Sequence, residues 1–252
     1  CPTREEMCLG KLGGIMRVGI WLAVIMLCFG GSATAQATQS SGQSVAVPGW
    51  EAVGRLNISG RSMCTGALIA PDLVLTAAHC LYDVHTGRAV DARKIEFASG
   101  LNEGTAKAVR RVSRAIISDE YVHHKGKDVQ IGADLALLVL ETPISRNVVR
   151  PLATEKRPAQ GDSVLIISYT KFSSGKQIVA QPCYILARKH DSVVTSCQVE
   201  FGASGAPVFA VQGGGQPRLV SVISSKAAMG NRQVSLGTVL DRALERLIAR
   251  AG

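Results

Sequence analysis

The segment LTAAHC, residues 75–80, ends a β-type run at two alanines, a histidine and a cysteine. A catalytic imidazole needs a fixed rotamer and partial exposure, and a neighbouring cysteine that forms a disulfide can hold such a turn in place. His79 is the one histidine of five with this setting, since the others lie in polar contexts: His85, His123, His124 and His190. Taken by itself, His79 fits a structural role as well as a catalytic one.

A carboxylate that could serve His79 lies in GADLALLVL, residues 132–140. Asp134 stands there directly before a strongly apolar strand, and an unpaired carboxylate drawn into a core is costly. Paired with a histidine, this aspartate would select the imidazole tautomer and stabilise the imidazolium. The alternative is an aspartate in a turn that caps the entrance of the strand, and the segment alone does not distinguish the two.

A serine with glycines on both sides lies in FGASGAPVF, residues 201–209. Gly202 and Gly205 allow a tight turn around Ser204, and Pro207 stiffens its exit. Such a turn can present the serine hydroxyl while the N–H groups of Gly202 and Ser204 point at one oxygen, which is the geometry of an oxyanion hole. A plain turn serine is the alternative, because a single G-x-S-G is a weak signal.

The order of the three segments excludes two classes of serine hydrolase. In α/β-hydrolases the histidine follows the serine, whereas no histidine follows Ser204 in this chain. Ala206 also replaces the last glycine of the G-x-S-x-G motif. A subtilisin-type order would place an aspartate before His79, and the available one, Asp72, lies in an ordinary Pro-Asp turn. The order His79, Asp134, Ser204 remains.

Composition and patterning favour a folded, mostly β protein. The 252 residues are 46% hydrophobic and 19% charged, which excludes an intrinsically disordered chain. From Trp50 onward, short β-type runs alternate with turn residues, as in all-β sandwiches and barrels. The runs predicted to be strands are WEAVGRLNIS, GALIA, DLVLT, KAVRRVSRAIIS and DLALLVL in the first half, and SVLIISYT, QIVAQPCYILAR, SVVTSC, APVFAV and RLVSVIS in the second. The sequence TEKRPAQGD, residues 154–162, predicts a connection between two β units. Near the end of the chain, four residues recur at helical spacing and predict one amphipathic helix: Leu240, Leu244, Leu247 and Ile248.

The N-terminal residues predict a secretory signal peptide. Arg17 precedes an apolar run at residues 18–29, and small residues then lead to an A-x-A cleavage site, so that cleavage is expected near Ala35-Gln36. The run has about 12 residues, well below the ~20 that a membrane-spanning helix needs. We therefore expect a secreted or periplasmic protein with no stable membrane insertion.

Four cysteines follow the predicted signal peptide, and in an exported chain they are expected to form two disulfides. Four cysteines allow three pairings. The local pairing, Cys64 with Cys80 and Cys183 with Cys197, closes two short loops, and each bridge would contribute about 3 kcal/mol through loop entropy. The alternative is free thiols or a metal site, although no Cys-x-x-Cys pair or histidine cluster supports zinc.

Together, LTAAHC, DLALL and GASGAP resemble the three signature segments of the chymotrypsin/trypsin-like serine peptidases. The resemblance is stronger to bacterial secreted members and covers roughly residues 48–249. It implies an all-β fold of two six-stranded antiparallel β-barrels with the active site between them, plus a C-terminal α-helix. The predicted organisation is signal peptide and upstream residues at 1–35, a flexible lead-in at 36–47, the N-terminal barrel at 48–150, and the C-terminal barrel with the helix at 151–252.

The same resemblance assigns further roles. Cys64–Cys80 matches the family's disulfide beside the catalytic histidine, and the segment ISSK, residues 223–226, lies where the family's strand edge pairs with substrate backbone. The residues expected to bind substrate are Gln198, Ser224, Ser225 and Lys226. Two positions depart from the family pattern, because Ala203 replaces an aspartate and Lys226 replaces a glycine of the pocket. No acidic residue lies where a preference for lysine or arginine would need one.

We expect a serine endopeptidase in which Ser204 attacks the scissile carbonyl, His79 accepts and returns the proton, and Asp134 orients His79. The N–H groups of Gly202 and Ser204 would hold the developing oxyanion. Such an enzyme needs no metal or organic cofactor. Its expected partner is a protein or peptide substrate, with no nucleic acid, and we expect a monomer.

The alternative function is that of a catalytically silent homologue, which would bind anionic envelope surfaces or proteins through basic patches. The net charge of +9 permits this without requiring it. The candidate basic residues are Arg110, Arg111, Arg114, Arg242, Arg246 and Arg250. A complete set of His79, Asp134 and Ser204 favours the enzyme, since a silent descendant has no physical reason to keep all three.

Overall fold

The structure, a computed structural model, describes residues 48–123, 130–155, 158–179, 182–210 and 217–252. The predicted signal peptide at residues 1–35 and the predicted lead-in at residues 36–47 lie outside these ranges, as does His124. No helix in the described ranges is long and apolar enough to cross a membrane.

Six strands form the first barrel. They are β1 (Val53–Ile58), β2 (Ser62–Ala70), β3 (Leu73–Thr76), β4 (Ile95–Ser99), β5 (Ala108–Ile117) and β6 (Ala136–Leu140). All pairs are antiparallel in the ring order β1-β2-β3-β6-β5-β4, and β4 closes the ring on β1. Burial alternates along β1, where Leu56 and Ile58 face the core, as expected for a strand with one buried face.

Seven strands form the second barrel. They are β7 (Ser163–Ser168), β8 (Ile178–Val179), β9 (Cys183–Lys189), β10 (Ser192–Thr195), β11 (Pro207–Ala210), β12 (Arg218–Met229) and β13 (Arg232–Val239). Six of them close a ring in the order β11-β12-β13-β10-β9-β7, and the short β8 pairs with the end of β7. The predicted all-β fold of two six-stranded antiparallel barrels is confirmed, and the predicted boundary at residues 150/151 falls between β6 and β7.

Two strands were not predicted from the sequence. Neither β4 nor β13 has an apolar run that stands out, and each is instead defined by pairing on both edges. β4 lies between β1 and β5, and β13 lies between β12 and β10. Conversely, the stretch QIVAQPCYILAR was expected to be one strand and is divided into β8 and β9, because Pro182 has no N–H group for a sheet ladder.

The predicted C-terminal helix is present as α1 (Asp241–Ala249). Leu244 and Leu247 are buried and belong to the same apolar cluster as Ile116 and Leu137 of the first barrel. The helix therefore follows the second barrel in the chain but packs against the first. Ile248, which shares the predicted apolar spacing, is exposed.

Two of the candidate basic residues near the end of the chain, Arg246 on α1 and Arg250 directly after it, face acidic groups of the first barrel. An Arg246 nitrogen lies 2.8 Å from an oxygen of Glu120, and an Arg250 nitrogen lies 2.6 Å from an oxygen of Asp119. Arg114 on β5 donates to the carbonyl oxygen of Ala251 at 2.8 Å. These contacts lie at the exposed boundary between the helix and the first barrel.

Candidate active site

His79 lies in a single 3-10 turn, Ala78–Leu81, directly after β3. The two preceding alanines are fully buried, so that only small side chains fit where the chain leaves the barrel wall. On the other side, Cys80 forms a disulfide with Cys64 of β2. The turn is thus held at both ends, while the His79 side chain keeps 23% of its surface exposed. This is the fixed and accessible imidazole that the sequence predicts.

Asp134 lies at the end of a short 3-10 turn, Ile131–Ala133, and its side chain is completely buried. Three donors satisfy the carboxylate. The backbone N–H of His79 donates to Oδ1 at 2.8 Å, His79 Nδ1 lies 2.7 Å from Oδ2, and the Ser224 hydroxyl donates to Oδ2 at 2.5 Å. Because Nδ1 faces a carboxylate, it carries the proton, which leaves Nε2 as the basic nitrogen.

The turn around Ser204 requires its two glycines. Gly202 and Gly205 have φ values of +105° and +79°, where side chains are strained. A Cβ at Gly202 would lie 2.9 Å from the carbonyl oxygen of Tyr169, and one at Gly205 would lie 2.2 Å from that of Thr65. Both barrels hold the turn, because the N–H of Thr65 donates to the Ser204 carbonyl oxygen at 2.8 Å and the N–H of Gly205 donates to that of Ile223 at 2.7 Å.

The backbone N–H groups of Gly202 and Ser204 have no hydrogen-bond acceptor among the described residues. Unused N–H groups at a serine and at the residue two positions before it are what an oxyanion hole needs. Within the same part of the chain, no hydrogen bond joins the Ser204 hydroxyl to His79, although both residues line one cleft. Such contacts are often long without substrate and tighten in the reacting complex.

The cleft has a volume of about 610 Å³ and is lined by both barrels. Three of the four residues that we expect to bind substrate line it, namely Ser224, Ser225 and Lys226. Gln198 is exposed and is not among the lining residues in the described ranges. The lining also includes side chains that the sequence did not indicate, since they come from separate loops: Arg61, Tyr82, Lys171, Glu200 and Phe201.

An aromatic group borders the cleft next to His79. Tyr82 stacks on His123 with ring centroids 4.0 Å apart, and Tyr121 lies 6.0 Å from Tyr82. Burial raises the pKa of Tyr121, and the negative charge of Asp134 raises it further. The Tyr121 phenol therefore stays protonated over the physiological range and adds no second charge beside Asp134.

Among the described residues, two cysteines and His79 form a cluster of side chains that can in general bind a metal. The Sγ atoms of Cys64 and Cys80 and a ring nitrogen of His79 all lie within 4.8 Å of one another. Both sulfur atoms are used in the disulfide, whereas zinc binds the free thiolate. This cluster therefore does not offer the ligands of a zinc site.

The sequence model of the Trypsin family matches residues 39–237. The chain belongs to this family. Together with the fold, the match identifies a chymotrypsin/trypsin-like serine peptidase domain. Residues 39–237 include all three segments on which the resemblance was first based.

Curated relatives of this trypsin-family chain are serine proteases by name. Serine protease 23 of Rattus norvegicus is 26% identical over 58% of this chain and 42% of its own length. The human protein of the same name is 25% identical over the same shares. Modular serine protease of Drosophila melanogaster is 38% identical over 35% of this chain and 15% of its own length. The chain thus spans less than half the length of these relatives.

Solved structures share the fold. A Glu endopeptidase in complex with MPD has a TM-score of 0.67 and 21% identity, over 81% of this chain and 92% of its own. The thermostable serine protease AL20 from an extremophilic microorganism has a TM-score of 0.65 and 19% identity, over 80% of this chain and 97% of its own. At these identities, the likeness supports the arrangement of the two barrels.

Proposed function

We propose that the protein is a serine endopeptidase that uses Ser204, His79 and Asp134 as a catalytic triad. The observation that carries the proposal is the hydrogen bond between His79 Nδ1 and the buried Asp134 carboxylate, with Ser204 in the same cleft. An aspartate in this position holds the imidazole in one tautomer and stabilises the imidazolium that forms during the reaction. His79 Nε2 is then the atom that accepts the proton of Ser204.

The reaction would follow from these roles. Ser204 Oγ attacks the scissile carbonyl as His79 takes its proton, and the oxyanion accepts hydrogen bonds from the N–H groups of Gly202 and Ser204. His79 then protonates the leaving amine, which leaves an acyl group on Ser204. A water molecule, deprotonated by His79, hydrolyses this ester and regenerates the hydroxyl.

The edge of β12 supports an extended peptide substrate. β12 pairs with β11 up to Val222 and continues along β13 to Met229. Ser224, Ser225 and Lys226 lie beyond the last β11 pair and line the cleft. We infer that the substrate backbone adds to this edge as a further strand, as in other cases of β-augmentation.

The two disulfides of the protein support its export from the cytoplasm. The structure contains two disulfides, Cys64–Cys80 and Cys183–Cys197, and disulfides persist in oxidising compartments. We propose that residues 1–35 direct secretion or transport to the periplasm and are removed near Ala35-Gln36. The organisation into two barrel domains divided at residues 150/151, a monomeric state and a closer likeness to bacterial secreted members of the family belong to the same proposal.

The silent-homologue alternative requires basic residues that can bind an anionic surface, and three of the six candidates contact groups within the chain. Arg246 and Arg250 lie against Glu120 and Asp119, and Arg114 donates to the carbonyl oxygen of Ala251. Both ion pairs are exposed, so they reduce the charge offered to an anionic surface only slightly. His79, Asp134 and Ser204, which a silent homologue could lose without cost, are all present.

Covalent labelling with a fluorophosphonate tests the proposal. A serine activated by a neighbouring imidazole is phosphonylated, whereas an ordinary surface serine is not. We expect labelling of the wild type and none of Ser204→Ala, with Ser62→Ala as a matched control that lines the same cleft and keeps the label. Absence of labelling in the wild type, or equal labelling of Ser204→Ala, would contradict the triad.

A further inference from the structure

A second, smaller cavity adjoins the cleft and shares Val199 and Lys226 with it. Its volume of about 210 Å³ is roughly seven times the ~30 Å³ of one water in the liquid, which is enough for a side chain of medium length. The remaining lining consists of Ala227, Ala228, Gln233 and Val234. The walls are therefore mostly apolar, and the polar lining residues are Gln233 and Lys226.

The ammonium group of Lys226 has only weak contacts within the chain. Its Nζ lies 4.0 Å above the centre of the Phe201 ring and 3.5 Å from Oε2 of Glu200. The side chains of Lys226 and Glu200 are 42% and 55% exposed, and such an exposed ion pair is weak. A carboxylate brought by a substrate can therefore take the place of Glu200 beside the ammonium.

The larger cleft has an excess of positive charge. Arg61, Lys171 and Lys226 line it, and Glu200 is the sole carboxylate among its lining residues in the described ranges. Lys171 forms no ion pair with another described residue, and Arg61 lies 3.7 Å from an oxygen of Asp83. The smaller cavity has no acidic lining residue among those described, so it offers no partner for a lysine or arginine side chain.

The smaller cavity adjoins the cleft that contains Ser204, since Val199 and Lys226 line both, and β12 is fixed to the Ser204 turn. The N–H of Gly205 donates to the carbonyl oxygen of Ile223 at 2.7 Å, and the N–H of Ile223 donates to that of Ala206 at 2.8 Å. Lys226 follows three residues later on the same strand. A substrate that lies in the cleft along this strand therefore passes the entrance of the smaller cavity at Lys226.

We propose that this cavity binds an acidic side chain of the substrate residue that precedes the cleaved bond, and that Lys226 is the specificity-determining residue. The inference rests on the proposed peptidase function and adds its substrate class. Glutamate fits better than aspartate, because its longer side chain extends further along the apolar walls to the ammonium. Gln233 provides an amide donor for the second carboxylate oxygen.

Peptides that differ only at the residue before the cleaved bond test the inference. We expect kcat/KM to be at least about tenfold higher for glutamate than for glutamine in the wild type, since only the charge differs. Lys226→Met should bring this ratio close to one, and Lys226→Arg should keep most of it. Glu200→Gln should raise the ratio, because it removes the competing carboxylate.

Lys171→Met is the matched control, because Lys171 lines the large cleft but not the small cavity. Its ratio of glutamate to glutamine should stay within about threefold of the wild type, as it removes only a more distant charge. A wild-type ratio near one, a ratio unchanged in Lys226→Met, or a larger loss in Lys171→Met than in Lys226→Met would overturn the inference.

Binding to Ser204→Ala protein separates this inference from the peptidase function. The same peptides, labelled with a dye and left uncleaved, should bind at least about tenfold more tightly with glutamate than with glutamine when measured by fluorescence anisotropy at low salt. Preferential binding without fluorophosphonate labelling of the wild type keeps the inference and contradicts the peptidase. Labelling with equal dissociation constants and equal rates contradicts the inference alone.

Discussion

The hydroxyl of Ser224 on β12 donates a hydrogen bond of 2.5 Å to Oδ2 of Asp134, which lies 90 positions earlier in the chain. Asp134 belongs to the first barrel and Ser224 to the second. The carboxylate that holds His79 is therefore itself held from the opposite barrel. The orientation of the imidazole depends on how the two barrels meet as well as on the fold of the first.

Ser224→Ala tests this support. The carboxylate would keep both donors from His79 but lose the one from the second barrel, so we expect kcat to fall about three- to tenfold, the scale of one hydrogen bond to a charged group. KM for a peptide substrate should change less than kcat. Ser62→Ala, which also removes a serine hydroxyl from the cleft lining, is the control and should stay near wild type. A fall as large as that of Asp134→Asn, or no fall at all, would contradict the positioning role.

Removal of the proposed triad residues should have far larger effects. Ser204→Ala and His79→Ala should each lower kcat by on the order of 10⁴-fold, leaving the contribution of binding and of the oxyanion hole. Asp134→Asn should also cripple the enzyme at neutral pH, because an amide can donate to Nδ1 and so permits the wrong tautomer. Steady-state kinetics checks this, with His85→Ala as a control that lines the cleft. A decrease below tenfold in Ser204→Ala would refute the assignment.

The three segments around His79, Asp134 and Ser204 could be predicted because each has a local signature. An apolar strand ends at a small-residue turn in the first, a carboxylate enters a core in the second, and glycines flank a serine in the third. The fold class followed from alternating short β-type runs, and the helix α1 followed from its leucine spacing.

The rest of the site depends on contacts between distant segments. The pairing of Lys226 with Glu200 and Phe201 joins a strand to a loop 25 or 26 positions away, and no local pattern indicates it. Gln198 has the polarity of a binding residue but lies outside the cleft. The strands β4 and β13 were missed for the same reason, since backbone pairing with neighbours on both edges defines them.

The disulfide Cys64–Cys80 should matter for both stability and activity. Cys64→Ala/Cys80→Ala should lose about 3 kcal/mol of unfolding free energy on the loop-entropy model, and it should also lose activity because His79 adjoins the bridge. Thermal unfolding and kcat at a temperature where both proteins are folded measure the two effects.

Cys183→Ala/Cys197→Ala is the matched control for that experiment. Its loop is of similar length, with a separation of 14 against 16 residues, and neither cysteine lines the cleft among the described residues. It should lose comparable stability with a smaller change in kcat. Equal losses of kcat in the two double variants would argue against a special role of the bridge beside His79. Mass mapping of the non-reduced protein should find both local pairs.

Activation should not require an inserted N-terminus. Ala203, directly before Ser204, is fully buried in an apolar cluster with Val208 and Ile223, so it offers no carboxylate to an ammonium group. A buried ammonium without a partner would cost several kcal/mol. A protein beginning at Gln36, or one with an N-terminal tag, should therefore be active without further cleavage.

Active-site titration of tagged protein, before and after limited proteolysis within residues 36–50, measures this. The number of titratable sites should be the same in both samples. If sites appear only after the cut, and acetylation of the new amino group removes them, then an ion-pair switch exists and the oxyanion hole is not preformed.

The packing of α1 on the first barrel also affects the timing of folding during synthesis. Leu240, Leu244 and Leu247 complete an apolar cluster that includes Leu137 of β6, yet they follow the whole second barrel in the chain. A nascent chain that has produced only β1 to β6 lacks part of its own core. His79 and Asp134 thus belong to a barrel whose apolar core is completed only by residues that are synthesised after Ser204.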